Sequence, residues 1–188
     1  DISGAFNHAW WPKILHQLKV KNCPRNMYIL LQDYFQNRKV HMNICGETLI
    51  STISRGCPQG SANSPGLWNI LYDDMLQLDL PNGCNIIAYA DDALLLVRLS
   101  DIQKLIDVSN EALNILFYWG LENKLQFNPS KSQAMLITRR RKVEVNTSLQ
   151  MHGHDIELVN SLNYLGVVLD KKLTFRPHFA HLASKSSK

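Results

Sequence analysis

The sequence predicts an α+β fold in which short antiparallel strands pack against amphipathic helices. Two observations favour this class. Several segments place apolar residues at the three- and four-residue spacing of a helix that buries one face. Other segments are short apolar or alternating runs that are bounded by Gly, Pro, Asn or Asp. Because two pairs of these runs return on themselves within a few residues, we expect antiparallel hairpins.

Helices frame a hairpin in the N-terminal part. Pro24 suits the first turn of a helix, where its missing amide hydrogen costs nothing. Val40, Met42 and Ile44 alternate with polar residues, as strand residues do. The predicted elements are a helix over 7–19, a helix from 24, a hairpin over 38–54, a loop over 55–61 and a helix that ends near 81–83.

Paired strands and one long helix are predicted for the rest of the chain. Ser100 is a suitable N-cap for the long helix, whose apolar residues repeat at helical spacing over 102–117. The predicted elements are strands over 85–89 and 93–97, that helix, strands over 125–128 and 132–138, a β-rich segment through 151–155, a strand over 162–169 and a helix from 176.

The composition fits one folded domain. The chain has 188 residues, of which 45% are hydrophobic and 19% are charged. These values exclude disordered, collagen-like and coiled-coil proteins. No apolar run approaches the roughly 18 residues of a membrane span, so we expect no membrane partner. Cys23, Cys45, Cys57 and Cys84 form no CxxC pair, which predicts reduced thiols rather than a zinc site.

Basic residues are concentrated in the C-terminal third. Residues 1–130 carry 10 Lys or Arg and 12 Asp or Glu, a net charge of −2, whereas residues 131–188 carry 10 and 4, a net charge of +6. Either a surface that follows a phosphate backbone or a solvated basic tail has this asymmetry. The run Arg139-Arg140-Arg141-Lys142 is open to three interpretations: a backbone contact, a nuclear-entry signal or a solvated turn.

Asp91 and Asp92 are the most informative residues. They lie between two apolar strands, where adjacent carboxylates repel each other and lose hydration unless a cation lies between them. Side chains alternate along a strand, so a two-metal site needs a further carboxylate, and Asp1 is the candidate. The alternative is a polar turn. Asp73-Asp74 is such an unremarkable pair, placed in an amphipathic helix with partial exposure to solvent.

Five sequence blocks in a fixed order resemble motifs A to E of the reverse transcriptases of non-LTR (LINE-like) retrotransposons. The similarity is greatest to arthropod elements that insert into ribosomal RNA genes. The blocks are Asp1-Ile2-Ser3-Gly4-Ala5-Phe6, Arg55-Gly56-Cys57-Pro58-Gln59-Gly60-Ser61 with Ser64-Pro65 and Leu67-Trp68-Asn69, Ala88-Tyr89-Ala90-Asp91-Asp92, Asn128-Pro129-Ser130-Lys131-Ser132, and Tyr164-Leu165-Gly166-Val167.

The resemblance implies a two-metal polymerase site. In it, Asp1, Asp91 and Asp92, with the carbonyl of Ile2, bind two Mg²⁺ ions, for which Mn²⁺ is a possible substitute. Lys131 matches the residue that protonates the leaving pyrophosphate. The reaction implied is attack of a primer 3′-hydroxyl on a dNTP, templated by RNA.

The resemblance also implies residues that bind nucleotide and primer. Phe6 corresponds to the aromatic residue that excludes a ribose 2′-hydroxyl, although its spacing alone would suit an ordinary core residue. Gln59, Gly60 and Tyr89 correspond to nucleotide-binding positions. The primer grip corresponds to Tyr164-Leu165-Gly166. Asn7 departs from the family, which usually has Asp after the aromatic residue, but this position is not a metal ligand.

The resemblance further predicts a polymerase palm over 1–170, in which helices pack behind one antiparallel sheet that carries the catalytic carboxylates, and the start of a thumb over 171–188. Fingers would be missing and the thumb truncated, so the isolated fragment is expected to be inactive. Its partners would be an RNA template, a DNA primer at the chromosomal target, dNTPs and the remainder of a polyprotein with an endonuclease. Its location would be the nucleus, with a possible cytoplasmic ribonucleoprotein stage.

Two other functions fit part of the pattern. One is a nucleic-acid-binding remnant without catalysis, against which the intact Asp1, Asp91, Asp92, Gln59 and Lys131 argue. The other is a related palm polymerase that makes RNA, against which Phe6 is a modest argument.

Overall fold

Helices and short strands alternate along the chain. A computed structural model describes residues 2–140 and 148–186. The elements in chain order are α1 (Ala5–His8), α2 (Trp11–Val20), α3 (Arg25–Phe35), β1 (Lys39–Ile44), β2 (Glu47–Thr52), α4 (Ser64–Leu76), β3 (Cys84–Tyr89), β4 (Asp92–Val97), α5 (Ile102–Glu122), a 3₁₀ helix (Pro129–Lys131), β5 (Gln133–Ala134), β6 (Leu149–Met151), β7 (His154–Leu158), β8 (Ser161–Tyr164), β9 (Val167–Asp170) and α6 (Arg176–Ser186).

The strands pair in four small sheets among the described residues, rather than in the one antiparallel sheet that was expected. Antiparallel hairpins form from β1 and β2, from β3 and β4, and from β8 and β9. The fourth sheet has the order β5-β7-β6, with β5 parallel to β7. The mixed α and β class is confirmed. Ile2 forms an isolated bridge to Phe127, and Gly4 then turns the chain into α1 with a φ of +57°.

Four predicted elements differ in the structure. The helix expected over 7–19 is divided into α1 and α2, since Pro12 lacks an amide hydrogen and is accommodated in the first turn of α2. The strand expected over 162–169 is a hairpin. Its turn residues Leu165 and Gly166 have φ angles of +48° and +83°, the pattern of a type I′ turn. The strands expected over 125–128 and 132–138 shrink to a bridge at Phe127 and to β5.

The N-cap of α5 also differs from the prediction. It is Asp101, whose Oδ1 accepts a hydrogen bond from the Lys104 amide at 2.8 Å, and not Ser100. The predicted hairpin over 38–54, the helix after the 55–61 loop and the helix from 176 are all present.

Helix α4 lies at the centre of the core. Trp68, Leu71 and Met75 are each fully buried on it. Helix α2 packs against α4 and buries Ile14. The β3–β4 hairpin also packs against this core, through the partly buried residues Ile86, Ala88, Ala93 and Leu95. The hairpin that carries Asp91 and Asp92 is therefore supported by α4.

Gly120 closes the core at the end of α5. A Cβ at this position would lie 2.9 Å from the Leu125 carbonyl oxygen and 3.0 Å from the Phe127 ring. Only glycine permits so close an approach. The chain can therefore fold back after α5 and bring Phe127 beside Ile2, where both side chains are buried. None of the helices in the described ranges is long and apolar enough to cross a membrane.

Asp74 joins three helices through one carboxylate. Its oxygens accept hydrogen bonds from Gln17 Nε2 at 2.9 Å and Trp119 Nε1 at 3.0 Å, and they pair with Lys13 Nζ at 2.8 Å. Burial raises the pKa of Asp74, but the bonds from Lys13, Trp119 and Gln17 outweigh it, so the pKa is lowered. The neighbouring Asp73 pairs with Lys21 at the surface. This pair is therefore partly exposed, as expected, but one member is structural.

An Asp74→Asn substitution is expected to lower the free energy of unfolding by about 1–2 kcal/mol near neutral pH, because it removes the charged acceptor that joins α2, α4 and α5. A lowered folded-state pKa means that this stabilisation is present above the unfolded pKa of about 3.9 and is lost as the pH falls through the folded-state pKa. Urea unfolding of both proteins across this range measures the difference.

Asp73→Asn is the matched control, since the exposed pair with Lys21 is worth at most about 1 kcal/mol. Equal losses in the two variants, or a loss for Asp74→Asn that persists undiminished in acid, would contradict the assigned role of Asp74.

Candidate active site

The two adjacent aspartates lie at the tip of the β3–β4 hairpin. Ala90 and Asp91 form its two-residue turn, and Asp92 opens β4 opposite Tyr89. Asp92 is thus a strand residue rather than part of the connecting turn that was predicted. Asp91 is half-buried, whereas Asp92 and Tyr89 are exposed. Within the described ranges neither carboxylate forms an ion pair, in contrast to Asp73 and Asp74.

A side chain of helix α4 is hydrogen-bonded to this tip. The indole Nε1 of Trp68 donates a hydrogen bond to the carbonyl oxygen of Ala90 at 2.8 Å. Ala90 has a φ of +52°, a left-handed conformation that is unfavourable for a residue with a Cβ. The bond from Trp68 fixes the backbone directly before Asp91.

A stack of aromatic rings connects the first block of the sequence to the same helix. The rings of Phe6 and Trp68 lie 5.4 Å apart at 23°, and those of Trp68 and Tyr72 lie 5.1 Å apart at 29°. Phe6 is half-buried. Phe6 packs on Trp68 of α4 and also lines a pocket.

This pocket has a volume of about 450 Å³ and is lined by Phe6 and by residues of the 59–65 segment, including Gln59 and Gly60. Its size falls in the usual range for small-molecule sites. Gly60 has a φ of +84° and open space where a Cβ would lie, so the turn, rather than a close contact, requires glycine. The Ser64 hydroxyl donates to the Pro58 carbonyl at 2.6 Å and fixes the loop to the start of α4.

The loop is also fixed to α1. The Cys57 amide donates to the Phe6 carbonyl at 2.7 Å, and the Gly56 amide donates to the Ala9 carbonyl at 2.8 Å. These two bonds explain why residues distant in sequence line one pocket.

Tyr72 lies in the same electrostatic neighbourhood as the aspartates. It is 3% exposed, and its hydroxyl has no hydrogen-bond partner among the described residues. Burial raises its pKa most, and the charges of Asp91 and Asp92 and the nearby Tyr164 raise it further. The sequence interpretation missed Tyr72. Its position four residues after Trp68 places both on one helix face, which was the available signal.

The remaining predicted residues lie on other elements. Ile2 is buried and bridges Phe127. Lys131 is exposed at the end of the 3₁₀ helix, which packs against β7. Tyr164 is half-buried at the end of β8, and Leu165 and Gly166 are exposed in the turn that follows. The structure therefore brings Phe6, Gln59 and Gly60 together and connects them through Trp68 to Asp91.

Asp1 lies outside the described residues, as do Arg141 and Lys142 of the basic run. Over 2–140 and 148–186, no group of three or more His, Cys, Asp or Glu is placed to hold a metal ion. Arg139 and Arg140 are exposed, and the Arg140 guanidinium donates to the Ser100 carbonyl at 3.0 Å.

Comparison with known proteins decides the family. The family model described as reverse transcriptase (RNA-dependent DNA polymerase) matches residues 1–169. This chain belongs to the reverse transcriptase family. The resemblance drawn from the five sequence blocks is thereby confirmed.

Relatives of this reverse transcriptase domain come from arthropod retrotransposons. The "Retrovirus-related Pol polyprotein from type-1 retrotransposable element R1" of Bradysia coprophila is 27% identical over 98% of the chain and 18% of that protein. The "Putative 115 kDa protein in type-1 retrotransposable element R1DM" of Drosophila melanogaster is 32% identical over 98% of the chain and 18% of that protein.

The "RNA-directed DNA polymerase from mobile element jockey" of Drosophila funebris is 30% identical over 97% of the chain and 20% of that protein. The reverse transcriptase domain described here thus spans about a fifth of the length of these relatives.

Cysteine reactivity tests the packing of the pocket loop. Cys57 is 2% exposed, and burial raises the pKa of its thiol to about 11. We expect iodoacetamide at about pH 8 to alkylate the exposed Cys45 rapidly and to leave Cys57 unmodified, because the thiolate is the reactive form. Peptide mass spectrometry measures both sites. In urea, where the protein is unfolded, Cys45 and Cys57 should be alkylated at similar rates, which is the control. Similar alkylation rates of the two cysteines in the folded protein would contradict the packing of this loop.

Proposed function

We propose that this domain is the palm core of the RNA-directed DNA polymerase in a non-LTR retrotransposon polyprotein. In this proposal it joins dNTPs to a primer 3′-hydroxyl on an RNA template. Support comes from the reverse transcriptase family match and from relatives whose names include R1 and jockey elements. The palm would comprise residues 1–170 and the start of the thumb residues 171–188.

One observation carries the proposal. Trp68 contacts both parts of the candidate site, with its ring stacked on Phe6 and its indole nitrogen bonded to Ala90 beside Asp91. A pocket of the size of a small-molecule site is therefore connected through Trp68 to a hairpin tip with two carboxylates. A nucleotide pocket beside an acidic tip is the arrangement that metal-dependent nucleotidyl transfer requires.

The chemistry of the donors fits Mg²⁺. Asp91 and Asp92 offer carboxylate oxygens, which this cation prefers, and neither is neutralised by an ion pair in the described ranges. Asp1 and the carbonyl of Ile2 would complete the ligand set for two ions, and Mn²⁺ would be accepted as a substitute. Bound metal supplies charge neutralisation at the attacking and leaving oxygens.

The other residues would bind the nucleotide, select its sugar and protonate the leaving pyrophosphate. The primer 3′-hydroxyl would lose its proton to solvent as O3′ bonds to the α-phosphorus, and the bond from that phosphorus to the bridging oxygen of pyrophosphate would break. Lys131 would donate a proton from Nζ to the leaving pyrophosphate. Phe6 would exclude a ribose 2′-hydroxyl, while Gln59, Gly60 and Tyr89 would contact the nucleotide.

The nucleic acid would extend from this pocket toward the basic part of the domain. The turn of Tyr164, Leu165 and Gly166 would hold the primer end. Residues 131–188 carry a net charge of +6, which suits a phosphate backbone, and Arg139 and Arg140 are exposed there. The remainder of the polyprotein, including fingers, thumb and endonuclease, would act with it on chromosomal target DNA in the nucleus.

Replacing both Asp91 and Asp92 with Ala in a polyprotein that contains this domain is expected to lower Mg²⁺-dependent dNTP incorporation on a primed RNA by at least about 100-fold, because two metal ligands are lost. The exposed carboxylates Asp33 and Asp79, replaced in the same way, are the matched control. Equal incorporation by the Asp91/Asp92 variant and the unsubstituted protein would contradict the metal site. Template binding without any incorporation by the unsubstituted protein would favour the non-catalytic remnant.

Phe6→Ala is expected to raise incorporation of ribonucleotides relative to deoxyribonucleotides by about ten-fold or more, because the ring no longer fills the space beside the sugar. Competition assays with matched dNTP and rNTP pairs give the ratio. Phe117→Ala, which removes a half-buried ring stacked on His152 away from the pocket, should leave the ratio unchanged. Unchanged sugar discrimination in Phe6→Ala would exclude this role.

A further inference from the structure

The turn before Asp91 is held in an unfavourable conformation. Ala90 has a φ of +52°, a left-handed conformation that is unfavourable for a residue with a Cβ. Such conformations persist only where the surrounding structure imposes them, and they concentrate at functional sites. At this turn, the Ala90 carbonyl oxygen accepts a hydrogen bond from Trp68 Nε1, and this bond can hold the backbone in its unfavourable conformation.

The Trp68 side chain has a separate contact for each part of the site. Its ring is fully buried and stacks on the rings of Phe6 and Tyr72, and its Nε1 donates to the Ala90 carbonyl at 2.8 Å. Phe has an aromatic ring but no N–H group, so a Trp68→Phe substitution would keep the ring stacking and lose the hydrogen-bond donor. The two contacts can therefore be separated by substitution.

From this geometry we infer that Trp68 is a positioning residue with two separable roles. Its indole N–H fixes the Ala90 turn and thereby the Asp91 carboxylate, and its ring fixes Phe6 against the pocket. The inference rests on the proposed function, because it assigns a metal-binding role to Asp91 and a sugar-selecting role to Phe6. It adds that one buried side chain sets the positions of both Asp91 and Phe6.

If Trp68 had only a structural role, replacing it would have the same effects as replacing another buried tryptophan. Trp119 is also buried, at 4% exposed, and its Nε1 donates at 3.0 Å, but the acceptor is Asp74 and not the hairpin. Trp119→Phe is thus a matched control for the loss of a buried indole donor. Thermal unfolding of both variants measures the general cost to stability.

In a polyprotein that contains this domain, Trp68→Phe is expected to raise the Mg²⁺ concentration for half-maximal incorporation by about three- to ten-fold, the effect of one lost hydrogen bond. Its preference for dNTP over rNTP should stay within about two-fold of the unsubstituted protein, since the ring is kept. Trp119→Phe should change neither value. Trp68→Leu, which loses ring and donor, should change both.

Hydrogen exchange gives a readout that does not depend on activity. In the folded domain, Trp68→Phe should speed amide exchange at the tip of the 84–97 hairpin, whereas Trp119→Phe should not. Unchanged exchange at the tip, or a normal Mg²⁺ requirement of Trp68→Phe in an active polyprotein, would overturn this inference alone. An unsubstituted polyprotein without incorporation would instead contradict the proposed function.

Discussion

The buried aromatic face of α4 is the constraint on which the candidate site depends. Trp68 is fully buried, contacts Phe6 and Tyr72 by stacking, and bonds the Ala90 carbonyl. A two-stranded hairpin alone is only marginally stable in water. The β3–β4 hairpin gains its support from the half-buried residues that pack on the core and from this bond at its tip. Without α4, neither the pocket wall nor the acidic tip would have a fixed place.

Two aspartate pairs in the same chain illustrate how surroundings decide what a carboxylate does. Asp73 pairs with Lys21 at the surface, whereas Asp74 is bound by Lys13, Gln17 and Trp119 and so stabilises the packing of α2, α4 and α5. Asp91 and Asp92 have no such ion pairs within the described ranges. Two adjacent carboxylates are suited to bind a divalent cation. The same dipeptide is thus structural on a helix and a candidate ligand pair on a hairpin.

Local patterns predicted much of the fold, because hydrophobic periodicity and turn residues act over short distances. The hairpins over 38–54 and 84–97 and the long α5 follow from such patterns. The split of the first helix depends on Pro12, and the hairpin over 161–170 depends on Leu165 adopting a positive φ, which sequence patterns disfavour. The separation of the strands into small sheets is a tertiary outcome that periodicity does not encode.

In the candidate site, too, sequence patterns identified individual residues, whereas the contacts between them depend on tertiary packing. The ordered motifs identified Phe6, Gln59, Gly60, Asp91 and Asp92 as candidates, and the structure adds how they are joined. The contact from Trp68 to Ala90 spans 22 residues, and the electrostatic proximity of Tyr72 to the aspartates also depends on tertiary packing. Neither could be derived from spacing. Such contacts between distant segments are what packing around one helix creates.

We propose that the carboxylates at the hairpin tip bind the catalytic metal near the Phe6 pocket. Anomalous diffraction from crystals of the domain grown with Mn²⁺ and a dNTP would locate both ligands. We expect Mn²⁺ density bound by Asp91, with the triphosphate adjoining it and the sugar against Phe6. Density for Mn²⁺ only at other carboxylates, or a nucleotide bound away from Phe6 and Gln59, would contradict it.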